Sequence, residues 1–181
     1  MENKNKSILK VCHIVLIAAG LALTLFTLFT SNSSAIIITM CLFRAAAFVA
    51  SFIYLIKGYK KDADKFYKLF MWFLGISIII SYTSFINLGM SLPILRSFVT
   101  VMILVAFIFI IGANDYGKVK SNIISITLAI LNIINIAMIL NTTNYILNPN
   151  VVIAIGQLFL ALTATLMVWV KYQDKESRGA K

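Results

Sequence analysis

Six long apolar runs restrict what this sequence can fold into more than any other feature. Each has roughly the 20 residues that a helix needs to cross about 30 Å of hydrocarbon. Because lipid offers the backbone no hydrogen-bond partners, runs of this length are helices rather than open or barrel strands. The sequence therefore predicts an all-α, polytopic membrane protein, residues 1–181 forming a single six-helix transmembrane domain. The predicted helices are 9–30, 35–56, 67–88, 94–113, 121–141 and 150–170.

The composition also indicates that lipid is the solvent. Hydrophobic residues make up 61% of the chain and charged residues 12%, whereas soluble domains average about 45–50% and about 25%. The first apolar run follows a basic segment, as in a signal peptide. It is longer than a signal-peptide core and no small-residue cleavage site follows it, so we expect it to remain as the first helix.

Positive charge is confined to one set of loops. All lysines and arginines except Arg44 and Arg96 lie in, or within two residues of, the segments before helix 1, after helix 6, between helices 2 and 3 and between helices 4 and 5. By the positive-inside rule this places both termini in the cytoplasm and indicates a multi-pass protein of the cell (plasma) membrane. The basic side is expected to contact anionic lipid headgroups. The net charge of +10 is thereby explained without nucleic acid, for which no binding module is present.

The loops are short, which favours three tandem hairpins. Lys10, Lys65 and Lys120 are evenly spaced along the chain. A threefold hairpin repeat produces this spacing, but so do hairpins of equal length with lysines at each cytoplasmic interface. In either case neighbouring helices pair through short connections.

The inventory of reactive side chains argues against an enzyme. All six acidic residues lie in cytoplasmic or terminal segments, so no carboxylate pair lies inside the predicted membrane region. The single histidine, His13, and two cysteines offer no metal or haem site, and no cofactor is predicted. Ser121 or Ser125 would reach the depth of His13, but no nucleophile-type turn surrounds either. His13 is therefore interpreted as an interfacial or packing residue.

Five of the six predicted helices each carry at least one polar side chain at the same predicted depth. Measured from the lysine at the cytoplasmic end of each helix, these residues lie roughly 18–23 Å deep at about 1.5 Å per residue. Helix 4 shows no such polar stripe and is expected to be the most exposed to lipid. The residues of this polar layer are Thr24, Arg44, Ser81, Asn132, Asn135 and Gln157.

The polar layer supports two hypotheses. In the first, its groups hold the helices together, Arg44 bonding to carbonyl and amide oxygens, and the protein is a non-enzymatic scaffold or accessory subunit of a membrane complex. In the second, the layer binds a small polar or anionic ligand, with Arg96 helping to attract it, and the protein is a small-solute carrier or ligand-binding subunit. A buried arginine costs at least about 2.5–3.5 kcal/mol on insertion scales, and an anion is a natural partner for it.

Overall fold

The computed structural model describes most of the chain, and its regular structure is helical throughout the described part. The described residues are 2–30, 34–87, 98, 101–106, 108, 118–143 and 149–179. The helices are α1 (Glu2–Thr30), α2 (Ala35–Ile56), α3 (Asp64–Asn87), α4 (the helical residues 101–106), α5 (Lys118–Thr143) and α6 (Pro149–Gly179). A short 3-10 turn, Lys61–Ala63, leads into α3.

The observed helices confirm five of the predicted ones, and the second has the predicted bounds. α1 begins before the predicted residue 9 and α6 ends after residue 170, because lysine, glutamine and glutamate continue a helix readily beyond the apolar run. The predicted helix 94–113 is helical at 98, 101–106 and 108. Its other residues, including Arg96, lie outside the described part.

Four helices carry segments that are long and apolar enough to cross a membrane. These segments are Ser7–Thr30, Ala35–Ile56, Val119–Asn141 and Pro149–Tyr172. Large apolar side chains such as Phe29, Leu42 and Ile133 are exposed on their outer faces. A surface of this kind is stable in lipid and not in water, so the chain is an integral membrane protein made of helices.

α6 is the central helix of the described bundle. It packs against α1, α2, α3 and α5, and the most extensive contacts elsewhere join α2 to α3 and α1 to α2. In the most apolar window of Pro149–Tyr172, 67% of the residues are buried, against at most 39% for the other three spans. Within the described part, α6 is therefore the helix along which polar side chains of four neighbouring helices can meet.

The connection between α2 and α3 reverses the chain within a few residues. Gly58 (φ 65°) and Tyr59 (φ 59°) are both left-handed, and the Tyr59 N–H donates to the Tyr54 carbonyl at 3.2 Å. A glycine commonly ends a helix in this conformation, whereas a left-handed tyrosine is uncommon and must be held by its surroundings. The turn directs the Tyr59 side chain back toward α1.

α1 and α2 approach closely at Gly20. A Cβ atom at this position would lie 2.1 Å from the Cζ atom of Phe48, whose ring is fully buried. Only glycine leaves room for the ring at this crossing, which sets the separation of the two helices.

Candidate functional site

The structure buries every described residue of the predicted polar layer. Their exposed fractions range from 0% for Arg44 and Asn132 to 3% for Thr24. The period of 3.6 residues thus identified the inward faces of α1, α2, α3, α5 and α6 correctly. Burial does not test whether the layer binds a ligand, which stays a prediction. The residues concerned are Thr24, Arg44, Ser81, Asn132, Asn135 and Gln157.

Arg44 is fixed against the backbone of α6. One terminal guanidinium nitrogen donates to the Ile153 carbonyl at 2.8 Å, and the other lies 2.6 Å from where a Cβ atom of Gly156 would be. Helical carbonyls normally accept within their own helix, but a second lone pair remains for a cross-helix donor. The expectation that Arg44 bonds to a carbonyl is therefore confirmed, and Gly156 provides the space for it.

Gln157 lies next to this contact and is oriented by α3. The Ser77 hydroxyl donates to Oε1 of Gln157 at 3.5 Å. With its oxygen toward Ser77, Gln157 has its amide nitrogen on the opposite branch of the planar carboxamide group. That nitrogen is buried and has no hydrogen-bond partner within the described part of the protein.

Asn135 on α5 resembles Gln157 in the state of its amide group. Its amide nitrogen is also buried and without a hydrogen-bond partner among the described residues. Asn135 and Gln157 each lie eight residues from the helix end that faces the α5–α6 connection. Because α5 packs along α6, the two amides lie at one level, about 12 Å from that connection at about 1.5 Å per residue.

Two members of the layer use their polar atoms inside their own helices. The Thr24 hydroxyl donates to the Gly20 carbonyl at 2.7 Å, and the Asn132 amide donates to the Leu128 carbonyl at 2.8 Å. Such bonds to the preceding turn satisfy a buried polar group without a partner helix. Arg44 and Ser77, by contrast, bond across to α6, at the Ile153 carbonyl and at Gln157.

A second buried cluster connects α1, α2, α6 and the turn before α3. Nδ1 of His13 lies 3.0 Å from the Tyr59 hydroxyl, Nε2 lies 2.6 Å from Oγ of Ser51, and the Ser51 hydroxyl donates to Sδ of Met167 at 3.2 Å. A thioether can only accept, so with the Ser51 proton directed at Met167, Ser51 accepts from Nε2–H of His13. In the neutral imidazole Nδ1 then accepts from the Tyr59 hydroxyl, and the chain of hydrogen bonds has one direction.

The partners of His13 were not predicted. It is fully buried, which supports the packing interpretation over the interfacial one. Of the two serines considered for it, Ser121 contacts the Tyr172 hydroxyl at 3.3 Å and Ser125 donates to the Asn122 carbonyl. The serine at His13 is Ser51 of α2, which is fully buried.

Tyr59 is enclosed by aromatic rings at the cytoplasmic end. Its ring stacks on His13 with centroids 5.9 Å apart and meets Tyr54 edge-on at 5.2 Å. Burial raises the pKa of the Tyr59 phenol above its usual value. The hydroxyl therefore remains a donor toward His13 throughout the physiological pH range.

Lysines and aromatic rings alternate on the adjoining basic surface. Nζ of Lys171 lies 3.9 Å from the Tyr67 ring centroid and 3.9 Å from an Asp64 carboxylate oxygen. Two other lysines, Lys57 and Lys65, lie over the Phe66 ring at 5.8 Å and 5.3 Å. These contacts hold cationic side chains near the level expected for lipid headgroups.

The sequence matches no protein-family model and no curated protein, and the fold matches no solved structure. Fold and composition define the class, a helical integral membrane protein with at least four membrane-spanning candidates in its described part. The described residues include no group of three or more metal-ligating side chains.

Proposed function

We propose that the chain is a non-enzymatic, multi-pass protein of the cell membrane that serves as a scaffold or accessory subunit of a membrane complex. In this proposal its six helices form three short-loop hairpins with both termini in the cytoplasm. The contact between Arg44 and the Ile153 carbonyl carries the proposal. Arg44 is the side chain of the layer that costs most to bury in a membrane. In this contact it cross-links α2 to the central helix, as a rigid structural protein requires.

The basic surface adds a contact with anionic lipid. Lys57, Lys65 and Lys171 are held over aromatic rings, so their positions relative to the bilayer are restricted. Each basic residue near an anionic membrane surface contributes about 1 kcal/mol of attraction. This contact would orient the protein in the membrane and favour a partner with acidic cytoplasmic loops.

The assembly of the native protein tests the scaffold function. The full chain, tagged and expressed at its native level, should be recovered in mild detergent in a complex with a defined and stoichiometric membrane partner. Recovery only as the 20.2 kDa chain, together with solute flux when it is reconstituted alone into liposomes, would contradict the proposal.

Cysteine accessibility tests the proposed topology separately. Ser34 and Lys60 are both exposed at opposite ends of α2. In a variant without native cysteines, Ser34→Cys should react with an impermeant maleimide in intact cells, and Lys60→Cys only after permeabilisation. The reverse pattern would invert the topology.

A second candidate function is a carrier or ligand-binding subunit for a small polar solute. It is favoured by the buried amide nitrogens of Asn135 and Gln157, which lack partners among the described residues. Such a group is expensive in a purely structural interior, at about 1–3 kcal/mol each. If Arg44→Gln changes neither ligand binding nor transport while the protein stays folded, this candidate is rejected.

A further inference from the structure

We propose that Lys57, Lys65 and Phe66 form a defined site for the phosphate group of an anionic phospholipid, at the connection between α2 and α3. The inference rests on the proposed contact between the basic surface and anionic lipid, and it names the residues and the chemical group of that contact. It differs from a diffuse attraction because it requires two particular lysines and the ring that both of them contact.

Two lysines from different helices share the Phe66 ring. Lys57 caps the C-terminus of α2 and places Nζ 5.8 Å from the ring centroid. Lys65 lies in the first turn of α3 and places Nζ 5.3 Å from it. Phe66 is half-buried and packs against the hydrophobic core, whereas both lysines are exposed. The fold therefore fixes the ring, and the two ammonium groups share the part of its surface that the core leaves open.

The charge of these two lysines has no carboxylate partner among the residues that the structure describes. Residues 57–68 contain five lysines and two aspartates. Asp64 is paired with Lys171, at 3.9 Å, rather than with Lys57 or Lys65. Like charges that share one ring repel each other, and an anion beside them offsets that repulsion. The local charge therefore favours an anionic ligand.

The depth of the site favours a lipid phosphate over a soluble one. The apolar span Ala35–Ile56 ends one residue before Lys57. Trp72, on the same helix as Phe66, and Trp169 on α6 are both exposed, and tryptophan is enriched where hydrocarbon meets the lipid headgroups. Phe66 precedes Trp72 by less than two helical turns. An ammonium group over this ring therefore lies at the level of the headgroups.

A phosphate oxyanion also matches the hydrogen-bonding capacity of the pair. Each lysine ammonium offers three donors and no acceptor, and charge-assisted bonds to an oxyanion are roughly twice as strong as neutral ones. The flexible four-carbon stems allow both ammonium groups to reach one phosphate beside the ring while the backbone stays in place. Because the ring already attracts both groups, less side-chain freedom is lost when the lipid binds.

Short-chain phosphatidylglycerol tests the site on the purified full chain in a neutral detergent. The protein is unfolded thermally at constant ionic strength with increasing concentrations of phosphatidylglycerol, phosphatidylcholine or inorganic phosphate. Phosphatidylglycerol should raise the unfolding midpoint with saturation, and the other two should not. The double variant Lys57→Gln/Lys65→Gln should need about tenfold more phosphatidylglycerol for the same rise, since each lysine contributes to the attraction.

Three further variants separate a defined site from a general effect of charge. Lys60→Gln/Lys68→Gln is the matched control, because both lysines are exposed near the same connection and neither contacts an aromatic ring in the described part of the chain. It removes the same charge and should change the phosphatidylglycerol requirement by less than about twofold. Phe66→Leu keeps every charge and should raise the requirement about threefold. Lys57→Arg/Lys65→Arg keeps both the charge and the ring contact and should retain the response.

The outcomes distinguish this inference from the function on which it rests. Equal shifts in the two pairs of lysine-to-glutamine variants, or an unchanged response in Phe66→Leu, overturn the defined site and leave a diffuse attraction to lipid. A rise in the midpoint with inorganic phosphate that requires Lys57 and Lys65 overturns it in favour of a soluble phosphate. No response of the unmodified protein to phosphatidylglycerol overturns the site and the lipid contact together. The scaffold function is decided separately, by recovery of the membrane complex.

Discussion

The Tyr59 hydroxyl lies 3.0 Å from Nδ1 of His13, although 46 residues separate the two. The contact ties the left-handed turn after α2 to the inner face of α1. It also begins the hydrogen-bonded chain that continues through Ser51 to Met167. Removing one member therefore leaves a buried polar atom of the next without its partner.

Tyr59→Phe should destabilise the protein by about 1–3 kcal/mol, because Nδ1 of His13 loses its donor in a buried site. Thermal or denaturant unfolding in detergent measures the change. Tyr172→Phe is a matched control, since its hydroxyl meets Ser121 at 3.3 Å in a partly buried position and its loss should have the smaller effect. Equal losses of stability in the two variants would show that the bond to His13 contributes no more than the contact between Tyr172 and Ser121.

Alkaline pH should destabilise the unmodified protein more than it destabilises the Tyr59→Phe variant. Burial raises the pKa of the folded Tyr59 phenol above the usual value of about 10. The unfolded chain therefore releases this proton first, and the stability that the neutral phenol contributes is complete below pH 10 and is lost as the pH rises further. The difference in unfolding free energy between the two proteins, measured from pH 8 to pH 11, should narrow above pH 10. A constant difference would contradict the assigned environment of Tyr59.

Gly20→Ala should separate α1 from α2. The added methyl would lie 2.1 Å from the Phe48 ring, and overpacking of this kind typically costs about 1–3 kcal/mol. Phe48→Leu shortens the opposing side chain, so the double variant should lose less stability than the two single changes combined. Additive losses measured by unfolding would place the cause elsewhere.

Gly156→Ala should displace the Arg44 guanidinium from α6. The new Cβ would lie 2.6 Å from a terminal nitrogen of the guanidinium, so the bond to the Ile153 carbonyl must lengthen or break. We expect a loss of about 1.5–3 kcal/mol, the range for hydrogen bonds of charged groups. Arg44→Gln removes the obstructing atoms, so Gly156→Ala should have little further effect in that background.

Lys171→Ala should destabilise the protein more than Asp64→Asn. Nζ of Lys171 is 3.9 Å from both the Tyr67 ring centroid and the Asp64 carboxylate, and the Asp64 side chain is 36% exposed. A partly exposed ion pair contributes about 0–1 kcal/mol, whereas the ring contact and the buried lysine stem are lost only with Lys171. A larger loss in Asp64→Asn would reverse this assignment.

The inward faces of the helices could be predicted from sequence because hydropathy and helical period both report burial. Arg44 and Gln157 are isolated polar residues in apolar runs, and lipid makes such positions rare unless they face protein. The bounds of α2, Ala35–Ile56, were likewise predictable, since a serine precedes the run and caps its first turn at Ile37.

The partners within those faces could not be predicted, because they depend on rotation and separation between helices. No periodic pattern indicates that Arg44 meets Ile153 rather than another carbonyl. The glycine at 156 is the signal that was available, as small residues mark close approach. Similarly, a glycine such as Gly58 is typical of a helix end, but nothing in the sequence places Tyr59 in a left-handed conformation with its ring on His13.

Because α6 is the central helix of the bundle, the order in which the helices are synthesised determines how long the others lack their contacts with it. The Ile153 carbonyl that accepts from Arg44 is made 109 residues after it, a delay on the order of 5–20 s at typical translation rates. During that interval α2 resides in the membrane with its charged face not yet covered by α6. We therefore expect the nascent chain to be most vulnerable to quality-control proteases between insertion of α2 and arrival of α6, and its yield to depend on how quickly the C-terminal half follows.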